Sequence, residues 1–176
     1  MRSSRALRKL VFGFVLCSSI FASAKPIPEL ALKDLSGQKH RLSALKGNIV
    51  VLNFWATWCG PCQEELPLLS RLSDAYGGEP VRFVAVSIDE EKSPAQIAAF
   101  LAQRNIKLET WTGATTGTMA KAGLGDLVPS TLILDQAGEV ITRITGEARE
   151  DDIRGRIDWL LKGRPGQAPE ISLNRR

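Results

Sequence analysis

Two thiols separated by two residues, in Cys59-Gly60-Pro61-Cys62, are the groups in this sequence best suited to chemistry. Sulfur acts as a nucleophile in its thiolate form, so what matters is which surroundings lower a thiol pKa. The preceding run Ile49-Val50-Val51-Leu52-Asn53-Phe54-Trp55 is β-branched, aromatic and almost free of polar residues, and reads as a strand buried on both faces. After the pair, Leu66, Leu68, Leu69, Leu72 and Tyr76 recur at helical spacing with Gln63, Glu64, Arg71 and Asp74 between them, a helix with one buried stripe. Pro61 suits a first turn, where a missing N–H costs nothing. The cysteines therefore lie on a strand-to-helix turn, Cys59 at the helix mouth and Cys62 one turn inside. Unpaired N–H groups and the positive end of the helix dipole lower the pKa of Cys59, the expected attacking sulfur. Cys62, three residues on along the same face, is expected to resolve the mixed disulfide that attack creates.

Two other uses of such a pair compete with redox chemistry. Zinc asks for four ligands, and beyond this pair the chain offers only Cys17, in a leader-like segment, and the lone His40. A structural disulfide across two residues would constrain almost no chain entropy, since that gain grows with loop length. Redox exchange is the favoured reading.

Trp55-Ala56-Thr57-Trp58-Cys59-Gly60-Pro61-Cys62 resembles the active-site signature of the thioredoxin superfamily, and Gln63-Glu64-Glu65-Leu66-Pro67 looks like its TlpA/ResA-like branch. Val128-Pro129-Ser130-Thr131 matches that family's cis-proline loop. The resemblance spans roughly residues 27 to 162. It implies an α/β thioredoxin fold: a mainly parallel central sheet flanked by helices, with an N-terminal β-hairpin and a central insert. It also implies a cis Val128-Pro129 bond against the redox-active Cys59–Cys62 disulfide, leaving the Val128 backbone to pair with an extended substrate, and an exposed Trp58 at the substrate surface. Packing is the alternative for Trp58, and Trp55 reads as core. Two positions depart from cytoplasmic thioredoxin: Asn53 stands where that family buries an aspartate, and Ala85 where it buries a lysine. By spacing alone Glu65 is an ordinary early-helix glutamate favoured by the dipole. The resemblance makes it a catalytic candidate that helps Cys62 lose its proton.

The formal charge of +4 resides in Arg2, Arg5, Arg8 and Lys9; without them 19 basic residues face 19 acidic ones, which removes any electrostatic case for nucleic acid. Those four charges precede an apolar run from Leu10 to Ala22, too short to span a bilayer, and Ala22-Ser23-Ala24 fits a cleavage site. Residues 1–24 therefore read as a signal peptide for export to the periplasm; an uncleaved leader tethering the protein to the membrane is the alternative. Leu16 before Cys17 argues against lipidation. Export places the thiols in an oxidising compartment.

A domain is expected over residues 25–162 and a disordered tail over 163–176, where Gly, Pro and polar residues prevail. Leu30 to Leu35 and His40 to Leu42 flank a turn, giving the hairpin; Ser43 is expected to cap a one-turn helix ending at Gly47. His40 reads as a solvated or hydrogen-bonded side chain. Val81 to Ile88 is the next buried strand and Ser93-Pro94 opens a helix to Gln103. Leu108 to Trp111 reads as a short strand, Thr112 to Gly117 as a loop that nothing in its composition orders, and Met119 to Ala122 as a short helix. This stretch is the central insert, with partner specificity and packing both open. Thr131 to Asp135 and Val140 to Thr145 form a hairpin, and Ile153, Ile157, Leu160 and Leu161 mark the last helix.

Together these features point to an exported thiol-disulfide oxidoreductase without a cofactor. By the resemblance it reduces disulfide-containing periplasmic proteins, apocytochrome c among the candidates, and is recharged by a membrane electron relay of the DsbD/CcdA kind. Ser130 stands where the cytochrome-maturation subtype carries an acidic residue. Three alternatives compete: the same exchange run as an oxidase or isomerase, a peroxidase, and a metal or heme-assembly chaperone. The paired cysteines argue against the peroxidase, and the lack of further His and Met ligands argues against the chaperone.

Overall fold

The computed structural model describes residues 27–171. The leader, its cleavage site and Cys17 lie outside that range, as do residues 172–176 of the tail. In chain order the elements are β1 (Ala31–Asp34), β2 (Lys39–Arg41), a 3-10 turn (Leu42–Leu45), β3 (Ile49–Trp55), α1 (Gly60–Ala75), β4 (Val81–Ser87) and α2 (Pro94–Gln103). Then follow β5 (Glu109–Thr112), α3 (Thr116–Lys121), β6 (Ser130–Leu134), β7 (Val140–Thr145) and α4 (Glu150–Leu161).

Every residue of β3 is buried, as its unbroken apolar run requires. It pairs in parallel with β4 from Ile49↔Val81 to Trp55↔Ser87 and antiparallel with β6 from Val50↔Leu134 to Phe54↔Ser130. The seven strands run in the order β2-β1-β5-β4-β3-β6-β7. The sheet is mixed rather than mainly parallel: only β3–β4 and β4–β5 are parallel pairs. Parallel pairing needs a crossover helix, and α1 and α2 each supply one. The β1–β2 and β6–β7 pairs are joined by tight turns that leave no choice but antiparallel, and β1–β5 and β3–β6 are antiparallel as well.

Helices cover both faces. Leu52 and Phe54 of β3 pack with Ile97 and Leu101 of α2 and Met119 of α3. On the other face Ile49 and Val51 meet Leu69 and Leu72 of α1 and Ile153 and Ile157 of α4. Each such side chain contributes roughly 1.5–3 kcal/mol when buried. α1 thus packs on the sheet alongside α4, which fixes the helix whose first turn carries the cysteines. It continues through Pro67 to Ala75, and Tyr76 closes it by donating to the carbonyl of Leu72 at 3.0 Å.

The hairpin attaches through the insert. β5 lies between β4 and β1, with Lys33↔Thr112 and Asp34↔Trp111 in register, so this strand of the insert is a structural bridge. His40 stacks on buried Trp111 with ring centres 5.5 Å apart and bonds Asp34 Oδ2 at 2.8 Å, the hydrogen-bonded role expected of it. The other Asp34 oxygen accepts from the hydroxyl and N–H of Ser36 and the N–H of Gln38. These bonds, the Ser36 hydroxyl and His40 foremost, hold the Asp34 carboxyl well below the usual carboxylate range.

Three local expectations are corrected. Ser43 does not cap the 3-10 turn; Arg41 is its first flanking residue, and the Ser43 N–H is taken by Glu29 Oε1 at 3.1 Å, a carboxylate from outside the turn. The loop before Met119 is ordered by Thr115, whose hydroxyl and backbone pair reciprocally with Thr118 and start α3 at Thr116. Residues 163–171 form neither helix nor strand, yet they lie along α4 rather than free of it. Arg156 donates to the Pro169 carbonyl at 2.7 Å, Trp159 donates to the Pro165 carbonyl at 3.2 Å, and Ile171 packs on the core beneath α4. Among the described residues no helix is long and apolar enough to cross a membrane.

Candidate active site

Cys59 and Cys62 are joined in a disulfide, with sulfurs 2.06 Å and Cα atoms 5.3 Å apart. Cys59 is the N-cap of α1: its backbone is extended, and its sulfur accepts the N–H of Cys62 at 3.2 Å. A sulfur in that place receives one of the N–H groups that a helix start leaves unpaired, the condition that stabilises a thiolate. Cys62 is fully buried, whereas Cys59 keeps 4% of its surface exposed. That sliver is bordered by Trp58, the residue before it, which is 67% exposed.

The turn is pinned from below by a carboxylate that sequence reading overlooked. Asp89, just beyond β4, is buried and accepts the Thr57 N–H at 3.0 Å, the Thr57 hydroxyl at 2.7 Å and the Ser87 hydroxyl at 2.9 Å. From the helix side, Gln63 Nε2 donates to the Thr57 carbonyl at 2.9 Å, and Arg104 Nη2 donates to Gln63 Oε1 at 3.1 Å. The Arg104 guanidinium lies 3.7 Å above the Phe100 ring, which in turn packs on Trp55. Trp55 is fully buried and fills the core, as expected. The available signal was an Asp at the end of a buried strand, facing the other strand-to-helix turn; its partners are distant in sequence and no local pattern names them.

Across the disulfide lies the loop before β6. The Val128–Pro129 peptide is cis, and the Val128 carbonyl oxygen is 3.6 Å from Cys59 Sγ. With the disulfide closed this sulfur carries no proton, so the approach is a contact and not a hydrogen bond. The loop is held by the Ser130 hydroxyl donating to the Leu127 carbonyl at 2.8 Å and by the Gly146 N–H donating to the Pro129 carbonyl at 2.9 Å. Leu127, the residue before Val128 in this loop, is 64% exposed.

Glu65 departs from the ordinary surface glutamate that its spacing suggests, because it is 1% exposed. It lies one helical turn beyond Cys62 and points under the sheet. Oε2 accepts from Asn53 Nδ2 at 2.8 Å, and Oε1 accepts from the Ala148 N–H at 2.8 Å. Burial drives its pKa up, the two hydrogen bonds pull it back, and nearby Glu147 adds a further upward push; the result is about 7. A carboxyl with that value is half-ionised near neutrality, able to take or give a proton. Asn53 pairs with Ala85 and Thr131 across β3's two neighbours, so the buried Asp–Lys pair of cytoplasmic thioredoxin has no counterpart at these positions.

The profile of the Redoxin family matches residues 22–157, three quarters of the chain. The chain belongs to the Redoxin family of the thioredoxin superfamily. Among its relatives, the thiol-disulfide oxidoreductase ResA of Geobacillus kaustophilus is 33% identical over 154 residues, covering 84% of this chain and 87% of the relative. ResA of Bacillus anthracis is 32% identical over 149 residues, covering 81% and 84%. Of solved structures, MTB DsbF superposes with a TM-score of 0.64 at 26% identity over 74% of this chain and 94% of that one. A thioredoxin-family thiol:disulfide interchange protein of Chlorobium tepidum gives 0.68 at 21% identity over 80% and 99%, a likeness of fold. This Redoxin-family chain is a ResA-like thiol-disulfide oxidoreductase built on a CXXC pair.

Within that frame the structure gathers Cys59, Cys62, Trp58, Val128 and Pro129 at one end of the sheet and sets Glu65 beneath them. Residues that sequence reading did not place are Asp89, Gln63, Arg104 and Ala148, together with the partners of Asn53.

Proposed function

We propose that this oxidoreductase is exported and works as a reductase of disulfide-containing proteins in the periplasm. Cys59 as thiolate attacks one sulfur of a target disulfide, whose other sulfur leaves as a thiolate. Cys62 gives its proton to Glu65 and attacks Cys59 Sγ; the Cys59–Cys62 bond forms and the second target sulfur departs. Two electrons pass to the target, and a membrane relay of the DsbD/CcdA kind returns two to the pair. Trp58 and the backbone of Val128 beside Pro129 hold an extended target segment, the backbone pairing as an added strand does. Apocytochrome c cysteines are candidate targets. Export is supported by the charged, apolar and small-residue pattern of residues 1–24.

The observation that carries this reading is the asymmetry of the two sulfurs: Cys59 caps the helix at the surface and Cys62 is sealed behind it. Its test is trapping with Cys62→Ala in the exporting cell. The reading expects a covalent adduct through Cys59, released by dithiothreitol and absent when Cys59 is also replaced. Adducts that form through Cys62 in Cys59→Ala instead would reverse the roles and overturn it.

A further inference from the structure

Glu65 sits among donors. The Asn53 amide faces Oε2 and the Ala148 N–H faces Oε1, an arrangement that suits the ionised carboxylate. When the carboxyl takes a proton, one oxygen becomes a donor confronting a donor. The Ala148 N–H is fixed by the chain and cannot turn away. The Asn53 amide can, because half a rotation about its Cβ–Cγ bond exchanges Nδ2 with Oδ1.

Two details make that rotation self-consistent. Asn53 Oδ1 is buried and has no hydrogen-bond partner, while Nδ2 serves both Glu65 Oε2 at 2.8 Å and Thr131 Oγ1 at 2.9 Å. After the exchange, Oδ1 would accept from the Glu65 O–H and from the Thr131 hydroxyl, which donates as readily as it accepts. Each state then holds two hydrogen bonds and leaves one amide atom without a partner, so turning over loses no bond. An aspartate at this position could not donate to ionised Glu65, and an apolar residue could serve neither form.

We propose that Asn53 is a positioning residue for the exchange reaction, its amide turning over as Glu65 gains and gives up the proton of Cys62, so that the buried carboxyl is hydrogen-bonded in both states. This rests on the proton-accepting role proposed for Glu65. The surroundings leave the task to Asn53: β3 and β6 offer only the neutral Asn53 and Thr131, α1 offers Cys62, and the segment before α4 offers the Ala148 N–H and the charge of Glu147, which disfavours ionisation.

The test follows the side-chain amide of Asn53 by ¹H–¹⁵N NMR in the reduced full chain, alongside the ¹³C carboxyl signal of Glu65, from pH 5 to 9. The amide signals should move with the Glu65 midpoint and stay flat in Glu65→Gln. Asn53→Ala should lower kcat for a protein disulfide roughly tenfold, the worth of one hydrogen bond to a charged group, with KM unchanged and unfolding still cooperative. Amide signals that stay still while Glu65 titrates overturn the proposal, as does an Asn53→Ala protein as fast as the parent. If Asn53→Ala does not fold, the titration in the unaltered chain decides. Glu65→Gln run in parallel separates the two ideas: unchanged exchange rates remove the role of Glu65 and the proposal with it, whereas slowed exchange with a motionless amide removes only the role of Asn53.

Discussion

Because Glu65 is buried and its pKa stands at about 7 against an ordinary 4.5, folding stability must depend on pH through this one group. The folded chain keeps the proton over the interval where the unfolded chain has lost it, so the native state binds more protons and stability falls as pH rises. The contribution is fully present below pH 4.5, declines from there, and is gone above about 7. Each pH unit between the two values is worth about 1.4 kcal/mol, so the total comes to about 3 kcal/mol. The perturbation is Glu65→Gln, which cannot ionise. Urea unfolding of the oxidised protein at intervals from pH 5 to 8 measures both chains, and subtracting one from the other cancels every other titrating group. The parent should lose about 2.5 kcal/mol relative to the variant across that span, since part of the contribution is already gone at pH 5. The variant should start close to the parent at pH 5, since a glutamine can keep the Ala148 N–H on Oε1 and, with the Asn53 amide turned over, donate from Nε2 to Asn53 Oδ1 as the protonated carboxyl does. Parallel curves would refute the reasoning, for they would mean that Glu65 has the same proton affinity folded and unfolded.

Other consequences can be checked on the same material. Asp89→Ala strands the N–H and hydroxyl of Thr57 and should cost about 3 kcal/mol, lowering Tm by roughly 6–12 °C in calorimetry, and should slow exchange because the Cys59 turn loses its tie to β4. Trp58→Ala, at an exposed position, should leave Tm within about 2 °C of the parent while raising KM for protein disulfides and not for a small aromatic disulfide. Thr115→Ala removes the N-cap of α3 and should cost about 1 kcal/mol by urea titration, with exchange rates unchanged. For a reductase, the Cys59–Cys62 couple should equilibrate with glutathione at a potential near thioredoxin's, roughly −270 mV; a value as high as about −120 mV would turn the proposed direction around.

How far the chain can be read from its residues depends on the range over which each feature is determined. β3 and α1 were plain because an apolar run and a helical stripe are local patterns, and they alone set Cys59 at the helix mouth and Cys62 inside. The start of α2 was visible in Ser93-Pro94, and the structure adds the reciprocal bonds between Ser93 and Gln96. The start of α3 was not visible, because Thr118 at the third position is a poor substitute for Glu or Gln. The mixed sheet escaped because strand direction depends on the end from which the chain enters: β6 follows α3 and its loop and comes in opposite to β3. The 3-10 turn was misread for a similar reason, since its exposed N–H is met by Glu29, 14 residues back, rather than by the local Ser43.

Glu65 is the sharpest case of this limit, and the most informative. Spacing set it one turn past Cys62 and could say no more, because its depth is decided by three segments that come together only in the fold: Asn53 on β3, Thr131 behind it on β6, and the Ala148 N–H before α4. Helix geometry explains why the arrangement is economical. Over six residues α1 descends from a sulfur at the rim, through a sealed one, to a carboxyl beneath the sheet, carrying the chain from where a protein can reach to where water cannot. An exchange centre needs both ends of that path, since the first sulfur must meet a macromolecule and the proton of the second must be stored where solvent does not set its affinity. Cytoplasmic thioredoxin buries its carboxylate on the strand; here the strand supplies an amide and the helix supplies the carboxyl. Under the proposed mechanism the proton acceptor is thereby attached to the same rigid element as both sulfurs, and its affinity is set by burial first and then by the Ala148 N–H, the Asn53 amide and the charge of Glu147.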